Sequence, residues 1–98
     1  MIPAFVDEVR RARGLMTIEE LAALVGRGNV VFDPFSTLIS VAARIGSGNV
    51  FHPCVTVACN PGVDLTIGDD NVFHPLTSIA AETGAVTIGS RNRFGETG

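Results

Sequence analysis

Near the start of the chain the apolar positions recur at helical spacing. Phe5, Val9 and Ala12 fall at i, i+4 and i+7, which predicts a short helix with one apolar stripe. Pro3 suits its first turn, Asp7 and Glu8 come early, Arg10, Arg11 and Arg13 come late as the helix dipole favours, and Gly14 supplies the stop. Thr17 and Glu20 then form a T-x-x-E capping box, with Met16 and Leu21 placed as the hydrophobic staple around it. A second helix is predicted over about Ile18 to Val25, with Ile18, Leu21, Ala22 and Val25 facing one way and Gly26 ending it. Both stripes are expected to be packing faces, and neither helix carries a constellation that suggests chemistry.

From residue 25 onward the period changes. The pattern [VI]-G-x-x-N occurs four times, as VGRGN, IGSGN, IGDDN and IGSRN, with Asn29, Asn49, Asn71 and Asn92 spaced by 20, 22 and 21. Two units subdivide further into blocks that each open on an apolar residue: Ile45, Phe51 and Val57, then Ile67, Phe73 and Ile79, followed by Ile88 and Phe94. A six-residue spacing fits neither a helix nor a strand that alternates throughout. It fits a triangular coil with a short strand along each side and one inward apolar residue per side. Gly46, Gly68 and Gly89, beside the asparagines, are read as corner residues, because Gly and Asn tolerate positive φ. Eighteen residues complete a coil, so the surplus is expected to bulge at Cys59 to Gly62 and at Glu82 to Gly84, stacked at one corner. Successive coils would pair in parallel about 4.8 Å apart, so that like residues form ladders. The predicted fold is all-β: a left-handed parallel β-helix of three to four triangular coils (residues 26–98) under an N-terminal helical cap (residues 1–25).

Composition narrows the function classes. The 98 residues carry 7 Arg+Lys, all Arg, against 10 Asp+Glu, for a net charge of −3. A surface that tracks phosphates normally carries excess cations, so neither nucleic acid nor an anionic membrane is an expected partner. No apolar run approaches the roughly 20 residues of a membrane span. The start lacks the apolar region of a signal peptide, and a cytoplasmic chain is expected. Cys54 and Cys59 form no CxxC and imply neither a disulfide framework nor a zinc ribbon.

The blocks resemble the hexapeptide repeat of the left-handed β-helix acyltransferases, over about residues 25–98. The closing stretch VTIGSRNRFGET resembles the UDP-N-acetylglucosamine acyltransferase segment V-x-I-G-x-R-N-x-[IF]-x-E, and IGDDNVFHPLTSI resembles the coil before it. The resemblance implies a homotrimer and acyl transfer from acyl-CoA or acyl carrier protein to a sugar, nucleotide-sugar or amine acceptor, with no resident cofactor. A histidine general base would work in a cleft between subunits. In the nucleotide-sugar acyltransferases that histidine comes from a coil after the R-N-x-[IF]-x-E segment, which lies beyond Gly98, so the resemblance implies a chain incomplete for catalysis.

His52 and His74 are nevertheless candidate catalytic residues. They occupy equivalent FHP blocks 22 residues apart, which the ladder places on adjacent coils, and an imidazole exchanges a proton near neutral pH. The competing reading is that His-Pro is a repeated corner dipeptide. Asn60, Asp64 and Glu82 flank the bulged loops and are candidate substrate contacts. Arg91 and Arg93 could meet a phosphate or a neighbouring subunit's acids. A zinc site resembling that of the γ-carbonic anhydrases needs three histidines, and only two exist here, so no metal site is expected. The alternative function is a non-catalytic β-helical module for oligomerisation or scaffolding.

Overall fold

The computed structural model describes residues 4–95; Pro3, read as a first-turn proline, and Glu96, the last residue of the R-N-x-[IF]-x-E segment, lie outside the described residues. Two helices come first, α1 (Ala4–Ala12) and α2 (Ile18–Gly26). The capping box forms as expected: Glu20 N–H donates to Thr17 Oγ1 at 3.2 Å, and Thr17 N–H donates to Glu20 Oε1 at 2.9 Å. The first turn of the solenoid follows as β1 (Val30–Val31), β2 (Leu38–Ile39) and β3 (Arg44–Ile45). The second turn is β4 (Val50–Phe51), β5 (Thr56–Cys59) and β6 (Leu65–Ile67). The third is β7 (Val72–Phe73), β8 (Ser78–Ala81) and β9 (Val86–Ile88), and β10 (Arg93–Phe94) opens a fourth.

All strand pairs are parallel and join equivalent positions of successive turns. Three sheets result, in the orders β1-β4-β7-β10, β2-β5-β8 and β3-β6-β9. The molecule is a three-sided parallel β-solenoid of about three turns with a small helical region at its N-terminal end. The expected ladders are present: Phe51 pairs with Phe73 and Phe73 with Phe94, Ile45 with Ile67 and Ile67 with Ile88, and Val57 with Ile79. The phenylalanine rings stack with centroids 4.9 and 5.1 Å apart. With Ile39, Val55, Leu65 and the α2 residues Leu21 and Leu24 they fill one axial core. Of the stripe read for α2, Leu21 is buried and Ile18 half-buried, whereas Ala22 and Val25 are exposed and Leu24 packs in their place. The linker between the helices shields the strand edge of the first turn, since Met16 N–H donates to the Ile39 carbonyl at 2.7 Å and Val41 N–H to that of Gly14 at 2.9 Å.

Two expectations need correction. The first concerns the corners. Positive φ belongs to Gly28, Gly48, Asp70 and Arg91, one residue before each repeat asparagine, and at a second corner to Cys54 and Leu76. Gly46 and Gly68 are required by close stacking instead: a Cβ on Gly68 would sit 2.7 Å from the Gly89 carbonyl oxygen, and one on Gly46 2.5 Å from that of Gly68. The asparagines form a ladder. Each side-chain oxygen accepts the backbone N–H of the next asparagine, from Asn49 to Asn29, Asn71 to Asn49 and Asn92 to Asn71, at 2.9–3.0 Å. Each side-chain nitrogen donates to a glycine carbonyl one turn on, at Gly46, Gly68 and Gly89. The ladder thus supplies the partners that buried amides require.

The second correction concerns α1. Its stripe does not pack: Phe5 is 64% and Val9 50% exposed, while Arg10 is only 5% exposed. The guanidinium, with five donors in a fixed fork, reaches the carbonyls of Met16, Pro34, Phe35 and Thr37. Asp7 accepts the Ile18 N–H at 3.0 Å from the same side of the helix. These polar contacts turn α1 so that its apolar stripe faces solvent.

Candidate functional site

The three edges of the solenoid separate the candidate residues. Between the first and second sheets runs the edge that carries His52-Pro53-Cys54 and His74-Pro75-Leu76. Backbone pairing aligns the two histidines: His52 N–H donates to the Phe73 carbonyl at 3.0 Å, and His74 N–H to that of Phe94 at 2.9 Å. Their rings stack with centroids 5.2 Å apart and planes 15° from parallel. Phe32, in the equivalent position of the first turn, stacks on His52 at 4.9 Å and extends the pair into a column. Its place after Val30 and Val31, before an Asp33-Pro34 pair, is the sequence signal that could have found it.

The local fold explains why histidine precedes proline here. Pro75 sets φ for the second residue of a turn, Leu76 takes φ 70°, and Thr77 N–H closes the turn on the His74 carbonyl at 3.2 Å, the pattern of a type II turn. The Thr77 hydroxyl also donates to the His74 carbonyl, at 2.7 Å. Both histidines are half-buried. Nε2 of His74 is a buried polar atom with no hydrogen-bond partner among the described residues.

The second edge carries the two bulges, as expected. Cys59 is still part of β5, paired with Ala81, so the bulge begins at Asn60 rather than at Cys59. Asn60 Nδ2 donates to the Glu82 carbonyl at 2.9 Å and ties one bulge to the other. The side chains of Asn60, Asp64 and Glu82 are exposed. The third edge holds Arg91 at φ 60°, its N–H donating to the Asp69 carbonyl at 3.0 Å. Arg93 follows on β10, opposite Val72, and both arginines are exposed. The structure therefore brings His52 to His74, and Asn60 to Glu82, but it leaves the histidines, the bulge residues and the arginines on different edges. Within one chain they do not line a common cleft.

Cys54 is exposed beside the histidine column and Cys59 is half-buried; both are free thiols. Among the described residues no three His, Cys, Asp or Glu side chains gather into a group that could hold a metal ion. Two apolar cavities lie at the helical cap and not at the column, one of about 230 Å³ lined by Ile18, Leu21, Ala22, Val25, Val31 and Pro34, the other of about 410 Å³ beside α1. Among the described residues no helix is long and apolar enough to cross a membrane. No protein-family model matches the chain, and no curated protein matches it. The site is thus defined by its geometry and its repeat.

Proposed function

We propose that this solenoid serves acyl transfer of the hexapeptide type, with the His52–His74 column as the place where the acceptor loses its proton. Acyl-CoA or acyl carrier protein would supply the thioester, and the acceptor would be a sugar, nucleotide sugar or amine. An imidazole nitrogen takes the proton of the hydroxyl or amine, the acceptor attacks the thioester carbonyl, and the thiolate leaves with the proton returned by the imidazolium. The observation that carries this reading is the pair of half-buried, stacked imidazoles held in register by backbone hydrogen bonds. The exposed bulge residues and arginines would reach a column only across an interface between copies, so the reading calls for an oligomer.

Thiol release from acyl-CoA in the presence of an amine or sugar acceptor tests this. General-base catalysis contributes about 10²–10⁴-fold, so His52→Ala or His74→Ala should lower the rate by about that factor with the far-UV spectrum unchanged. Failure of the folded wild-type protein to bind acyl-CoA or acyl carrier protein, or variants that turn over at the wild-type rate, would overturn the reading. The second reading, a non-catalytic β-helical module, is favoured by the separation of the candidate groups onto three edges and by the turn-forming role of His-Pro. It predicts an unchanged fold and no acyl-donor binding.

A further inference from the structure

Helix α1 turns its most apolar face to water. Phe5, Val9 and Ala12 form one exposed stripe, and Phe35, itself 60% exposed, continues it onto the first turn of the solenoid. Between them runs the groove of about 410 Å³, lined by Phe5, Val9, Arg13, Leu15, Phe35 and Leu38. Contiguous exposed aromatic and aliphatic side chains of this kind, rimmed by charge, mark an interaction surface.

The charges on the rim indicate what it meets. Glu8 and Arg11, three residues apart and both exposed, lie along one flank of the stripe, and Arg13 lies along the other. When two such helices are laid antiparallel about a two-fold axis near Val9, like flanks face each other. Glu8 of each copy then meets Arg11 of the other, twice over. Arg13 falls opposite Phe5 of the second copy, where a guanidinium can lie on the ring face. The groove beside α1 has room for an aromatic side chain from across the axis. Acids early and bases late, the order that suits the helix dipole, is also the order that makes this face complementary to itself.

We propose that the exposed face of α1, together with Phe35, is a docking surface for a second copy of this chain, forming an isologous two-fold dimer through the helical caps. This contact is separate from any interface that would join solenoid edges, and it does not depend on the acyl-transfer reading.

Sedimentation equilibrium of the whole chain over a wide concentration range tests it. A two-fold association step is expected, independent of any assembly through the solenoid edges. Phe5→Ser and Val9→Arg should each raise the dissociation constant at least tenfold without changing the far-UV spectrum, because both side chains are exposed in the monomer. Glu8→Arg alone should weaken the dimer, and Glu8→Arg with Arg11→Glu should restore it, since the swap re-forms both pairs across the axis as well as the i, i+3 pair within each helix. Four results would overturn the proposal. They are a single monomeric species up to the solubility limit, association that the Phe5 and Val9 variants leave unchanged, a double charge swap that fails to restore the dimer, or a monomer whose α1 resonances shift only when phospholipid vesicles are added.

Discussion

Asp70, Leu76 and Arg91 occupy backbone conformations that glycine fills more easily, with φ of 59°, 70° and 60°. Left-handed backbone costs an ordinary residue about 1–2 kcal/mol, and asparagine bears it better than leucine. Leu76 is exposed and has no packing to lose. Leu76→Asn should therefore stabilise the protein by about 0.5–1 kcal/mol, read as a higher urea midpoint at unchanged slope. Asn71 is the opposite case. It is fully buried, its oxygen accepts from Asn92 N–H, and its nitrogen donates to Asn49 Oδ1 and the Gly89 carbonyl. Asn71→Ala leaves those partners unmet and should cost about 2–4 kcal/mol in the same measurement. The recurrence of Gly and Asn was legible in the sequence, but its cause was not. A repeat shows which positions are constrained; whether the constraint is a dihedral angle or a neighbour one turn away depends on the coil being built.

At the scale of the element, the spacing of the turns makes glycine obligatory where another turn stacks on it. Gly68 lies under Gly89, whose carbonyl oxygen would be 2.7 Å from an added Cβ, whereas a Cβ on Gly89 meets nothing within 4 Å. Gly68→Ala should destabilise by about 1–3 kcal/mol through overpacking, and Gly89→Ala by no more than about 0.5 kcal/mol. Equal effects in thermal or urea unfolding would contradict the stacking described. The strands were predictable because one period, six residues, fixed their inward faces. Helix α2 was predictable in extent from its capping box, but its buried face is Leu21 and Leu24, rotated from the stripe of Ile18, Leu21, Ala22 and Val25. Helix α1 was predictable in extent but not in orientation. Four carbonyls gathered around Arg10 outweighed the burial of Phe5 and Val9, and those carbonyls come from residues 16 and 34–37, which a helical pattern over residues 4–12 cannot register. Arg10→Ala should cost about 3 kcal/mol and speed amide exchange along α1. Arg10→Lys should recover only part of that loss, having three donors in place of five.

Across the whole molecule, the solenoid turns a linear repeat into three edges with distinct chemistry: a column of Phe32, His52 and His74, a pair of polar bulges, and a left-handed corner followed by arginines. The pairing of the two histidines followed from their 22-residue spacing, so that part of the candidate site was legible. The separation of the other candidates was not, because sequence proximity to a loop does not say which edge the loop projects from. The claim that matters most is that the histidine column is a working site and not only a turn that happens to repeat. It is tested most directly by following the imidazole ¹⁵N resonances of His52 and His74 while acyl-CoA is added to the whole chain. The account predicts that both resonances shift in step with a saturable binding curve. If acyl-CoA binds and only residues of the other two edges respond, or if nothing shifts, the histidines are corner residues and the acyl-transfer reading fails.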